Sequence, residues 1–287
     1  MVILVHLPDP QHPRSDHAQS IYRFVDKKTF LDWGLTSDWH VEGPRKRRNP
    51  GIAECTDHPS IISKEEGKID CQNACSEGYG EMTEGSIERL FLHLRTLVTN
   101  QSVASSSLLS RFRTFSGYPL DHGMNMTTNS TFIDIGSGYG KVVMHAKLSA
   151  KVAKAVGVEY VASRAAMAIS SKNELVYGEH AFMTDDARCA LRVGCDLKHG
   201  DATKYGEFKF SHVYMYDKVF SDSTLQLLAS QLGKSPFKVL ISYQRIETWR
   251  RHGLNKIVEV GALRMRTTGG QTFKAYIFVK QAKFMTR

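Results

Sequence analysis

Thr131-Phe132-Ile133-Asp134-Ile135-Gly136-Ser137-Gly138-Tyr139-Gly140-Lys141 decides how the rest of the chain is read. A short apolar run with an acid near its end meets three glycines at alternate positions. A segment of helical composition, 142–153, follows at once. Strand, tight glycine turn and helix in that order make a nucleotide-type site. Glycine allows the chain to turn with φ > 0 and puts no Cβ between backbone and ligand. The first N–H groups of the next helix then face that ligand.

The spacing narrows the ligand. A phosphate loop needs Gly-Lys-Ser/Thr after four spacer residues, but Gly140-Lys141 is followed by Val142. A dinucleotide site wants Gly-x-Gly-x-x-Gly. Here the pattern is Gly-x-Gly-x-Gly, with Asp134 two residues before it. A carboxylate there repels pyrophosphate and attracts a cation. S-adenosylmethionine carries a sulfonium and an ammonium and no phosphate, so it is the expected cofactor. Glu159 ends the next apolar run, 155–159, where a carboxylate can accept both ribose hydroxyls. Asp201 ends the run 196–201, within reach of an adenine amino group. Parallel strands bring such ends to one edge of a sheet. Each acid taken alone could instead cap a helix.

Around this centre the pattern alternates in α/β fashion. Helices are expected near 140–152, 161–176, 180–192 and 222–232, and strands at 211–216 and 238–243. Two longer strands, 255–262 and 272–280, are joined through Thr268-Gly269-Gly270, a hairpin signal. Helix-linked strands ending in a hairpin predict a mostly parallel sheet with an antiparallel edge. Upstream, Ile87, Leu90, Phe91, Leu94 and Leu97 mark an amphipathic helix. Residues 99–130 read as a short helix and a loop. Residues 1–75 are expected to form a partly irregular, basic N-terminal extension, partly packed on the core, and 76–287 the catalytic domain.

The 287 residues carry a formal charge of +9, which favours an acidic partner such as nucleic acid or nucleoprotein. Arg45-Lys46-Arg47-Arg48, between Pro44 and Pro50, suits a nuclear address or a phosphate clamp. No apolar run approaches the roughly 18 residues of a membrane span, so no membrane partner is expected. Five cysteines without a signal sequence point to reduced thiols in an intracellular protein. Cys71 and Cys75 lack a second pair at finger spacing, and no metal is expected.

The glycine stretch 132–143 resembles the cofactor motif of the "disruptor of telomeric silencing" family. These are the non-SET, class I histone H3 lysine methyltransferases. Tyr79-Gly80-Glu81 resembles the family's upstream motif, which closes over the cofactor's methionine end. Gly157-Val158-Glu159 and Gly200-Asp201 fall in the expected order. The segment 213–220 takes the place of the Asn-Asn-Phe-Ala-Phe lining of the lysine channel, and Tyr276 that of a late channel aromatic. The resemblance spans about 75–280. The compact size and the Tyr-Asp-Lys-Val-Phe variant are similar to small kinetoplastid homologues.

The resemblance implies a class I S-adenosylmethionine-dependent methyltransferase, Rossmann-like, with a seven-stranded sheet and a C-terminal antiparallel hairpin. It implies cofactor contacts from Tyr79, Glu81, Asp134, Gly136, Gly138, Lys141, Glu159, Asp201 and Ala202. Lys141 stands where the family often has Gln, and Ala202 where an aromatic stacks on adenine. Tyr79, Tyr216, Phe220, Tyr243 and Tyr276 are the candidate catalytic and channel residues. The implied substrate is histone H3 in nucleosomes, with nucleosomal DNA held by Arg45, Lys46, Arg47 and Arg48, and the implied location is the nucleus. Two other readings remain: a class I methyltransferase for RNA or a non-histone protein, and a non-enzymatic nucleoprotein-binding module.

Overall fold

The computed structural model of the protein describes residues 16–33, 81–98, 122–268 and 270–281. Tyr79, Gly80, the tetrad Arg45 to Arg48, Cys55, Cys71, Cys75 and the boundary expected at 75/76 lie outside the described residues. So does most of the segment 99–130.

Seven strands form one sheet: β1 Thr131–Ile135, β2 Lys154–Glu159, β3 Cys195–His199, β4 His212–Met215, β5 Val239–Ser242, β6 Ile257–Arg266 and β7 Thr272–Lys280. Their order is β3-β2-β1-β4-β5-β7-β6. The first five run parallel. β7 is antiparallel to both β5 and β6, with a register shift between Glu259 and Gly261. The expected parallel sheet with its terminal hairpin is present. β6 reaches Arg266, four residues beyond the expected end, because its alternating burial continues to that point.

Alternation divides β1 between two cores. Phe132 belongs to one apolar layer, with Tyr214 and Tyr243 beneath helices α1 Asp16–Trp33, α2 Glu84–Arg95, α3 Lys141–Leu148, α4 Ala162–Tyr177 and α5 Asp185–Arg192. Ile133 and Ile135 belong to the other, with Phe208 and Trp249 beneath α6 Asp222–Lys234 and α7 Ile246–Arg251. Both faces of the parallel sheet are therefore covered, as its continuous apolar strands require. Asp134 takes the same parity as Phe132. Its carboxyl emerges on the α1–α3 side, at the carboxyl end of the central strand.

The N-terminal extension departs from expectation in one respect: 16–33 is a helix. Ala18, Ile21, Tyr22 and Val25, spaced three and four apart, are buried against the core. Among residues 18–28, whose side chains are described, four make the buried face, and Lys, Asp and Arg flank them, which hid the periodicity. α1 packs on α3 and α4. Among the described residues no helix is long and apolar enough to cross a membrane.

Candidate cofactor and active site

A cavity of about 410 Å³ opens at the carboxyl edge of the parallel strands. Its floor is the glycine turn. Gly136, Gly138 and Gly140 all have positive φ, at 77°, 53° and 77°. The L-residue penalty for that region, about 1–2 kcal/mol, explains glycine at all three. A Cβ on Gly140 would sit 2.8 Å from Leu197, and one on Gly136 would sit 3.1 Å from the Phe220 ring. Gly140 therefore lets α3 close on the sheet, and Gly136 leaves the space that Phe220 overhangs.

Glu159, at the end of β2, holds this turn. One carboxylate oxygen accepts the Gly138 N–H at 2.7 Å and the other accepts the Val161 N–H at 2.9 Å. Burial raises its pKa, and these backbone bonds pull it back in part. A carboxylate has about four acceptor positions, so Glu159 can cap α4 and still receive ribose hydroxyls. Asp201 is more committed. Its Oδ1 accepts from the Thr203 N–H at 2.9 Å and from the Thr203 hydroxyl at 2.6 Å. What burial it has pushes its pKa up, but Thr203 and Lys204 outweigh that and hold it low. The capping role considered for strand-end acids is real here, although Asp201 also lines the cavity.

Asp134 differs. It is 2% exposed, and its Oδ1 has no hydrogen-bond partner. Burial, with Glu159 nearby, pushes its pKa well above the carboxylate range. Such a group costs stability unless something pairs with it. Glu81 lies in the segment that bridges to the end of β6, its carbonyl accepting the Thr268 N–H at 2.8 Å. Its carboxylate is paired with Lys141, whose ammonium is also 2.5 Å from Asp26. Burial lowers the Lys141 pKa and Asp26 raises it again. The cavity therefore has more carboxylate than cation at this end. Arg164, from the first turn of α4, is a cation further along, drawn by burial down to about 10.

Glu81, Asp134, Gly136, Gly138, Lys141, Glu159, Asp201, Ala202, Tyr216 and Phe220 all line this one cavity. Tyr243 and Tyr276 are not among its lining residues. Tyr243 is buried behind Tyr216, with ring centroids 4.9 Å apart, and its hydroxyl is 3.1 Å from that of Tyr214. Tyr276 pairs with Ser242 across β5 and β7, and so has the opposite parity to Tyr243. It packs beside Phe278 in the α6–α7 layer. Strand parity is the reason that the two cannot share one channel wall. Tyr22, Tyr214 and Arg164 line the cavity without having been expected there. Tyr214 was findable: it lies on β4, two residues before Tyr216, which directly follows that strand.

Asp217 follows the strand end but faces inward. It accepts from the Ser242 hydroxyl and from the Tyr243 N–H, the latter at 2.6 Å. Burial raises its pKa to about 7 against those two bonds. It braces the loop that carries Tyr216 rather than meeting the cavity.

The residues fit a cationic, phosphate-free nucleoside ligand. The glycine turn, the Glu159 carboxylate and the unpaired buried carboxylate of Asp134 stand along one cleft, and a ligand cation would supply the partner that Asp134 Oδ1 lacks.

Residues 120–192 match the family model described as histone methylation protein DOT1, about a quarter of the chain. No curated protein matches the chain. Among solved structures, the B. subtilis m1A22 tRNA methyltransferase TrmK is 12% identical over 55% of this chain, with a TM-score of 0.39. The chain spans 63% of that enzyme's length. An RNA methyltransferase from Salinibacter ruber, in complex with S-adenosyl-L-homocysteine, is 14% identical over 56% of this chain and 88% of its own, with a TM-score of 0.37. TrmK from M. capricolum, in complex with S-adenosyl-homocysteine, is 9% identical over 57% of this chain and 69% of its own, with a TM-score of 0.39. At such scores these likenesses add nothing to what strand order and cavity already establish. Residues 120–192, which carry β1, the glycine turn, β2 and the helices after them, are thus similar to the DOT1 histone methylation model and lie within a sheet of class I methyltransferase topology.

Proposed function

We propose that the protein is an S-adenosylmethionine-dependent histone lysine N-methyltransferase that acts in the nucleus on histone H3 in nucleosomes. The observation that carries this reading is the unpartnered Asp134 carboxylate oxygen beside three positive-φ glycines, in a segment that matches DOT1. The bound cofactor supplies an electrophilic methyl group on a sulfonium.

The chain's own residues do the rest. Glu159 and the glycine turn hold the ribose, and Asp134 and Glu81 balance the positive charge. Tyr216 and Phe220 form an aromatic wall where a lysine amine can enter. Burial lifts the Tyr216 phenol to about 12, so it remains an uncharged hydrogen-bonding group at neutral pH. A low-dielectric wall favours the neutral amine, the nucleophilic form. Methyl transfer then depends on alignment and exclusion of water, and needs no strong general base. Arg45, Lys46, Arg47 and Arg48 would contribute phosphate contacts to the nucleosome.

The test is tritiated methyl transfer onto nucleosomes, free histone H3 and RNA, followed by mapping of the labelled residue. Labelling of an H3 lysine, stronger in nucleosomes than in free histone, is the expected result. Label on RNA alone would replace the histone reading, and calorimetry that finds no S-adenosylmethionine binding at micromolar concentration would end the enzyme reading. Gly138→Arg, which fills the turn, is the inactive control.

A further inference from the structure

Tyr22 and Asp26 come from a part of the chain far upstream of the glycine motif, yet they meet at the carboxylate-rich end of the cavity. Tyr22 is buried and lines the cavity from α1. Its hydroxyl is 3.4 Å from His145 Nδ1, and His145 Nε2 is 2.6 Å from Glu88. With the Nε2 proton given to Glu88, Nδ1 is an acceptor for the phenol. The two rings meet edge to face at 86°. Behind the cavity wall, α2 and α3 thus hold the Tyr22 ring in one orientation.

In front of that ring lies Lys141. Its Nζ is 5.5 Å from the ring centroid, within reach of a cation–π contact. Asp26 and Glu81 take it from two sides. A lysine with 3% of its side chain exposed is placed, not free to roam. An ammonium has three donors. Asp26 and Glu81 account for two, which leaves the third for a ligand.

We propose that α1 is part of the cofactor site, with Tyr22 walling off its amino-acid end and Asp26 steering Lys141 onto the ligand's carboxylate. This rests on the methyl-donor reading above and extends it. The ligand's amino-acid end is a zwitterion. Its ammonium is matched by Asp134 and Glu81, and its carboxylate by Lys141. The carboxylates Glu81, Glu84, Asp134 and Asp26 all act on the Tyr22 phenol after burial itself and keep it protonated. The ring therefore closes this end without adding a further negative charge. Asp26 is a positioning residue, since it acts through Lys141. Elsewhere α1 is tied down by the Lys28–Glu174 ion pair and by Phe24 on His180, with ring centroids 4.8 Å apart. Those ties allow α1 docking to be changed without touching the cavity.

The experiment measures dissociation constants of the full chain for S-adenosylhomocysteine and for 5′-methylthioadenosine, which has the same base, ribose and thioether but no amino acid. Asp26→Asn and Tyr22→Phe are compared with Lys28→Gln. The expected result is about tenfold weaker binding of S-adenosylhomocysteine to Asp26→Asn, a smaller loss in Tyr22→Phe, and unchanged binding of 5′-methylthioadenosine. Lys28→Gln should move neither. Equal weakening of both ligands would make α1 a structural brace and overturn the proposal, as would no change in either. If the wild-type chain binds neither ligand, the methyl-donor reading falls first and takes this proposal with it.

Discussion

Asp134 occupies a position that folding alone would give to an apolar residue. The neighbours Phe132, Ile133 and Ile135 are buried and apolar, and the carboxyl among them has one oxygen unpaired. Asp134→Asn should therefore stabilise the ligand-free protein by about 1 kcal/mol or more, because burial holds this carboxyl protonated against its ordinary pKa and that cost is removed. The same change should weaken S-adenosylmethionine binding about tenfold, or ~1.4 kcal/mol. Thermal denaturation and calorimetry on one preparation check both signs. Asp217 makes a separate prediction. The folded state holds its proton up to about pH 7, and the unfolded chain only to 3.8. Between those values the folded state binds more protons, so stability falls as pH rises, by up to about 1.4 kcal/mol per pH unit. Urea titrations from pH 4 to 8 should show that decline, and Asp217→Asn should reduce it.

Among the elements, α1 and the 81–83 segment complete what β1 and β2 begin. Thr83 caps α2 by accepting the Ser86 N–H, and its own N–H donates to the Arg266 carbonyl at 2.9 Å. Glu81 is thereby fixed between the end of β6 and the cavity. α1 has no strand partner and depends on apolar packing of a narrow face. Ile21→Ala removes a fully buried side chain and should cost about 3 kcal/mol. Hydrogen exchange should speed up across α1 while the amides of β1 and β4 stay protected. If the sheet amides exchange faster by the same factor, α1 is part of one cooperative unit with the sheet.

For the whole molecule, a ligand that binds only the folded state must stabilise all of it. S-adenosylhomocysteine at 100 times its dissociation constant should add about 2.7 kcal/mol. That corresponds to a rise in Tm of about 5 °C for a chain of this size, readable by differential scanning fluorimetry. The formal charge of +9 bears on partners at the same scale. The proposed nucleosome binding, which would neutralise phosphates, should weaken steeply with salt.

Strand–glycine–helix grammar, the alternation of later elements and the hairpin signal were legible in the sequence because they rest on local periodicity and turn chemistry. Asp134, Glu159 and Asp201 could be placed at one edge for the same reason: parallel strands carry their ends there. Three things needed the tertiary structure. The face of the sheet on which Tyr276 lies depends on the register of β7 against β5, and one residue of parity takes it away from Tyr216 and Tyr243. The double duty of Glu159 and Asp201 as caps depends on where the following backbone N–H groups turn. The place of Tyr22 and Asp26 beside Lys141 depends on the docking of a helix more than a hundred residues upstream. Local pattern decides which elements form and which ends converge, whereas side-chain partners are set by long-range packing, which no local period records.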